Sequence, residues 1–134
     1  TKGDLAVLKS QLDLFERGYL VLLPQTEHAP FDIVAYKEQQ FWRIQVKYRN
    51  MKENGTMYVK FQQCYSTKNG VQMKDVDKSQ IDFYCVYCPE TDLCYYFDPK
   101  FFNKSVTIRL KETKNKQTKG VYLAEKFLEI PERI

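Results

Sequence analysis

Three polar side chains interrupt an otherwise apolar and aromatic stretch of this 134-residue chain: Asp32, Gln45 and Lys47, within FDIVAYKEQQFWRIQVKYRN at residues 31–50. A carboxylate oxygen and an amide oxygen can both ligate Mg²⁺, a hard cation that takes oxygen ligands and keeps several waters. The main-chain carbonyl of Val46 offers a third oxygen between Gln45 and Lys47. A cation held there would offset the charge on a phosphate diester and activate a water. Lys47 could orient or deprotonate that water, or stabilise the pentavalent phosphorus that forms. Asp4, near the start of the chain, is a further carboxylate for the metal side. The same residues also fit a plainer pattern, with Asp32 in a turn and Gln45 and Lys47 on the solvated face of a half-exposed strand.

The elements that must position them are legible from periodicity. Side chains alternate between the two faces of a strand. Arg43, Gln45 and Lys47 therefore share one face, and Ile44 and Val46 the other. Strands near 31–37 and 41–48, joined by a short polar turn, form a hairpin whose open end brings Asp32 toward Gln45 and Lys47. Upstream, Leu5, Leu8, Leu12 and Phe15 recur at helical spacing and predict a helix with that face toward the core. Asp4 suits its N-cap or first turn, and Gly18 its C′ position. YLVLLP, ending at Pro24, reads as a strand. Downstream, residues 56–65 read as a strand, STKNGVQMKDVDKSQ as polar connection, and IDFYCVYCPETDLCYYFDP as a hairpin around residues 89–92. Residues 105–110 read as another strand and 121–130 as a short terminal helix. No repeat or linker divides the chain, so residues 1–134 form one domain. The expected fold class is α+β with an α/β core: a mixed β-sheet flanked by helices, with an added β-hairpin.

Composition narrows the class of function. Apolar residues make up 43% and charged residues 28%, a globular balance. Ten tyrosines and nine phenylalanines favour strands and an extended binding surface. Tyr48, Tyr58, Tyr65 and Tyr84 could stack on bases or sugars, although a strand tyrosine is more often packed. Trp42, on the face opposite Arg43, belongs in the core. The net charge is only +4. Its distribution is uneven: seven basic residues against Glu112 alone lie between Lys100 and Gly120, and a second group is Arg43, Lys47, Arg49, Lys52 and Lys60. Such local excess suits a polyanion. It also fits a solvated lysine-rich loop.

No apolar run approaches the ~20 residues of a membrane span. The opening Thr-Lys-Gly-Asp lacks signal character, so the expected location is cytoplasmic. Cys85 and Cys88 form a CxxC, but on a strand they point to opposite faces, which speaks against a shared zinc. His28, the sole histidine, reads as a surface loop residue ahead of Asp32.

Taken together, KGDLA, LFERGYLVLLP and APFDIVAYKEQQFWRIQVKYRN resemble the PD-(D/E)xK nuclease superfamily. The resemblance is greatest to the small group I intron-encoded homing endonucleases of cyanobacteria and related bacterial endonucleases. The matching motifs are Lys2-Gly3-Asp4, Phe31-Asp32 and Gln45-Val46-Lys47, and the likeness covers nearly the whole chain. It implies a restriction-endonuclease-like fold and a Mg²⁺-dependent endonuclease acting on double-stranded DNA, leaving a 5′-phosphate and a 3′-hydroxyl. It also implies a homo-oligomer, dimer or tetramer. Asp32, Gln45, Val46 and Asp4 would hold the metal, and Lys47 would serve the water. Arg43, Arg49, Lys52, Lys60, Lys111, Lys114, Lys116 and Lys119 would follow the phosphate backbone. Two positions depart from the pattern: Gln45 stands where an acid is usual, and Val7 where some relatives carry Glu. Two alternatives share the fold: a structure-selective nuclease of the Holliday-junction-resolvase kind, and a catalytically decayed DNA-binding module.

Overall fold

A computed structural model describes residues 1–61, 63–74, 78–102, 104–111 and 122–132. Helix α1 (Lys2–Glu16) begins with a capping box, in which Thr1 Oγ1 accepts the Asp4 amide and the Asp4 side chain reaches back to Thr1. It ends in a Schellman turn. The Tyr19 amide donates to the Leu14 carbonyl and the Gly18 amide to that of Phe15, both at 3.0 Å, with Gly18 at φ 92°.

Five strands form the main sheet in the order β1–β2–β3–β7–β8. They are β1 (Leu20–Leu22), β2 (Ile33–Lys37), β3 (Gln40–Tyr48), β7 (Phe83–Cys88) and β8 (Leu93–Phe97). Only β3 and β7 run parallel, with Gln45 opposite Tyr84; the neighbouring pairs are antiparallel. The β2–β3 turn is two residues long, with Glu38 at φ 52° and Gln39 at φ 66°. Both left-handed values match the twist of the flanking strands.

The crossover from β3 to β7 supplies the rest of the fold. It contains β4 (Thr56–Lys60) and a separate hairpin of β5 (Gln63–Thr67) and β6 (Gly70–Lys74). After β8, β9 (Ser105–Arg109) pairs with β4 and β10 (Tyr122–Leu123) pairs with β9, making a second, three-stranded sheet.

Two clusters hold these layers together. On one face of the main sheet, Ala6 and Leu14 pack against Ile33, Ala35, Ile44, Phe83, Cys85, Tyr87 and Tyr96. On the other, Met57, Val59, Val106 and Ile108 of the second sheet, with Phe61 just after β4, pack against Tyr84, Val86, Tyr95 and Phe97. The α+β class and mixed sheet are as expected. Among the described residues the sheet is not flanked by helices on both sides: α1 covers one face and the second sheet the other.

Three expectations need correction. The helix buries Ala6, Ser10 and Leu14, and leaves Leu5, Leu8, Leu12 and Phe15 exposed. The sheet face below it is filled by Phe83, Tyr87 and Tyr96, so small side chains let the helix approach, and Ser10 Oγ meets Cys85 Sγ at 3.2 Å. The strand expected over 56–65 divides between β4 and β5, and the segment expected as polar connection holds the end of β5, the turn and β6, whose signal is Asn69-Gly70, with Gly70 at φ 104°. The expected terminal helix is instead β10 followed by a 3₁₀ turn (Ala124–Phe127), where Phe127 stacks on Phe97 with centroids 4.8 Å apart. Cys85 and Cys88 do fall into opposite clusters.

Candidate active site

Asp32 immediately precedes β2. Continuing the β2–β3 register places it opposite Gln45. Its amide donates to the Ile44 carbonyl at 2.9 Å, and its Oδ2 accepts the Val46 N–H at 2.7 Å. The carboxylate thus caps the ladder where β2 begins, and the residue stays exposed. N–H and C=O of one strand residue point to the same side. The Val46 carbonyl is therefore directed toward that same edge.

Gln45 supplies the unusual feature. Its Oε1 is buried and accepts no hydrogen bond. A buried oxygen left without a donor costs about 1–3 kcal/mol. A cation is one partner that would satisfy it. The oxygens of Asp32, Gln45 and Val46 are all hard donors, the set that suits Mg²⁺ when substrate phosphate and water fill the remaining positions. The charge at this set is low, and among the described residues no three His, Cys, Asp or Glu side chains converge on a common metal position.

Lys47 follows on the same strand face. Burial, then the charge of Arg49, pulls its pKa down to about 8, against a weaker upward pull from Asp32. Its Nζ sits 5.8 Å from the centroid of the Tyr84 ring. Tyr84 is itself buried, its hydroxyl has no partner, and burial pushes its pKa up to about 12. Phe61 packs against that ring, with centroids 4.5 Å apart. Sequence reasoning did not place Tyr84 at this site. It comes from a distant strand through the parallel β3–β7 pairing, which leaves no local pattern. Its burial excludes stacking on nucleic acid.

Asp4 is not joined to this group by any described contact. Its carboxylate accepts the Thr1 hydroxyl at 2.8 Å, and its pKa is lowered chiefly by that bond. Val7, where some relatives have Glu, packs against the core under α1. His28 is exposed in the loop ahead of Asp32.

The basic residues divide. Arg43 forks onto Asp82, Nε to Oδ2 at 3.1 Å and Nη2 to Oδ1 at 3.2 Å, and the Arg43 amide also donates to Oδ2 at 2.7 Å. That geometry ties β3 to the start of β7 and occupies the guanidinium. Arg49 donates to the Tyr48 carbonyl at 2.7 Å and burial lowers its pKa. Gly55 joins the Lys52 and Lys111 segments through the backbone: its amide donates to the Lys52 carbonyl at 2.9 Å, and its carbonyl accepts the amides of Leu110 and Lys111 at 2.8 and 3.1 Å. Gly55 is at φ 81°, and a Cβ there would lie 3.1 Å from that of Lys111. Lys60 sits at the far end of β4. Lys114, Lys116 and Lys119 lie outside the described residues.

Comparison with known proteins gives four findings. A family model described as PD-(D/E)XK endonuclease matches residues 1–130. The structure of I-Ssp6803I, a bacterial homing endonuclease, superposes with a TM-score of 0.76 at 23% identity, covering 88% of this chain and 81% of that one. At that identity the likeness shows the fold. Hjc, a Holliday junction resolvase from the archaeal hyperthermophile Archaeoglobus fulgidus, shares 15% identity over 93% of this chain and 94% of its own. Its TM-score is 0.49. No curated protein matches the chain.

Proposed function

The chain belongs to the PD-(D/E)XK endonuclease family, and from that premise we propose that it is a Mg²⁺-dependent endonuclease of double-stranded DNA. The observation that carries the metal reading is the buried, unpartnered Gln45 Oε1 beside the Asp32 carboxylate. Asp32, Gln45 and the Val46 carbonyl would hold the cation. When bound, it offsets phosphate charge and acidifies a water.

The remaining work falls to Lys47. With a pKa of about 8, roughly a tenth of it is neutral at pH 7. That is enough to take a proton from water while the charged form can hold a phosphate oxygen. Water attacks phosphorus in line with the bond to the 3′ oxygen. That bond breaks, leaving a 5′-phosphate, and the 3′ oxygen takes up a proton. The Val46 N–H holds Asp32 in place, and the Tyr84 ring walls the amine from solvent. Arg49, Lys52, Lys60 and Lys111, with Lys114, Lys116 and Lys119, follow the phosphate backbone. Arg43 joins them only at the expense of its fork to Asp82. Asp4 contributes only if its carboxylate leaves the helix cap.

One subunit holds one such site, so cutting both strands takes at least two copies. The reading is tested by incubating the protein with random-sequence duplex DNA and Mg²⁺ and sequencing the ends. Wild type is expected to produce 5′-phosphate ends, and Lys47→Ala to bind DNA but leave it intact. DNA binding without cleavage by wild type would instead identify a decayed binding module.

A further inference from the structure

The outer face of α1 is apolar along its length. Leu5, Leu8, Leu12 and Phe15 are 40, 63, 52 and 71% exposed. At about 100° per residue they form one stripe, centred opposite the buried Ala6, Ser10 and Leu14. Contiguous exposed apolar surface of this kind marks an interaction site. We propose that the stripe is a self-association surface, on which α1 of a second copy packs antiparallel about a two-fold axis.

Two observations select a second copy as the occupant. The stripe reads the same in both directions, with steps of three, four and three residues. Reversal therefore exchanges Leu5 with Phe15 and Leu8 with Leu12, as an isologous contact requires. The rim charges are also self-complementary. Lys2, Lys9 and Glu16 recur every seven residues along one edge of the stripe. In an antiparallel pair that edge meets itself reversed, which sets Lys2 of each copy near Glu16 of the other. Lys9, in the middle, is already paired with Asp92 at 2.9 Å. A membrane-binding helix would instead carry a basic polar face, whereas this rim is balanced by Asp4 and Glu16.

An interface here has to reach beyond the stripe itself. The stripe runs ~15 Å along the helix, short for a specific interface of ~800 Å² per partner. It widens onto Leu93, 45% exposed at the start of β8. With Leu12, Leu93 lines a groove of about 250 Å³ beside the helix.

The proposal names a surface for the oligomer inferred above, yet it rests on α1 alone. The helix lies on the sheet face away from Gln45 and Lys47, so assembly and cleavage are read separately. The test is sedimentation of the full chain over a range of concentrations, without DNA. Wild type is expected to sediment as a dimer or larger. Leu8→Glu with Leu12→Glu is expected to give a smaller species with an unchanged circular dichroism spectrum, and a melting temperature that no longer depends on protein concentration. Lys2→Glu, at an exposed position, should weaken association roughly two- to fivefold, and adding Glu16→Lys should restore it. A wild type that stays monomeric to its solubility limit, or association indifferent to the Leu8/Leu12 pair, would overturn the self-interface. Failure of Glu16→Lys to rescue Lys2→Glu would overturn the antiparallel arrangement.

Discussion

Replacing Lys47 by methionine is expected to stabilise the protein at neutral pH while abolishing its chemistry. The ammonium is held in a half-buried site beside Arg49, and its pKa falls from 10.5 to about 8. At 1.36 kcal/mol per pKa unit, keeping it charged costs the folded state roughly 3 kcal/mol. Below pH 8 the proton is on Lys47 in both folded and unfolded chains, and the cost is present in full. Between pH 8 and 10.5 the unfolded chain holds the proton and the folded chain does not, so wild-type stability climbs with pH. Above 10.5 the cost has gone.

Methionine occupies a similar volume without charge. Lys47→Met should therefore be more stable than wild type by about 1–3 kcal/mol at pH 7, and the gap should close as pH rises through that window. The assay is urea unfolding of both proteins at pH 7, 9 and 10.5, read as the difference between them, so that titrations common to both cancel. A variant no more stable than wild type at pH 7, or a gap that ignores pH, would refute the electrostatic account of Lys47.

Three further outcomes are expected. Gln45→Glu places a carboxylate where a buried amide oxygen now lacks a partner; it should lower stability without metal by about 1–3 kcal/mol, and MgCl₂ in the unfolding buffer should recover the loss. Gln39→Gly removes a side chain from a backbone at φ 66° and should raise stability by about 1 kcal/mol, visible as a higher denaturation midpoint at unchanged slope. Leu14→Ala should cost about 3 kcal/mol in unfolding free energy, whereas Leu8→Ala, at concentrations that hold the chain monomeric, should stay within about 0.5 kcal/mol; equal costs would contradict the orientation of α1.

The candidate site was legible because it is local. Strand alternation puts Gln45 and Lys47 on one face, and a two-residue turn carries the register back to Asp32. What escaped is non-local or depends on which of two surfaces wins. Tyr84 and Asp82 reach β3 through a parallel pairing made only after a long crossover, so no spacing near Gln45 or Arg43 announces them. The helix shows why period and burial are different information. Its large apolar stripe and its small one, Ala6-Ser10-Leu14, lie on opposite sides, and an aromatic-filled sheet selects the small one. The β5–β6 hairpin was hidden by polar composition although Asn69-Gly70 carried its turn.

The most direct test of the central claim is single-turnover cleavage of duplex DNA by wild type and Asp32→Asn, each with Mg²⁺ and with chelator. Among the described residues, the register and the Val46 N–H contact bring the Asp32 carboxylate to Gln45 and Lys47. Wild type should cut only with the metal. Asp32→Asn should be slower by about 10²-fold or more while binding DNA as tightly. Cleavage that survives chelator, or that Asp32→Asn leaves at the wild-type rate, would contradict the site assigned to Asp32, Gln45 and Lys47.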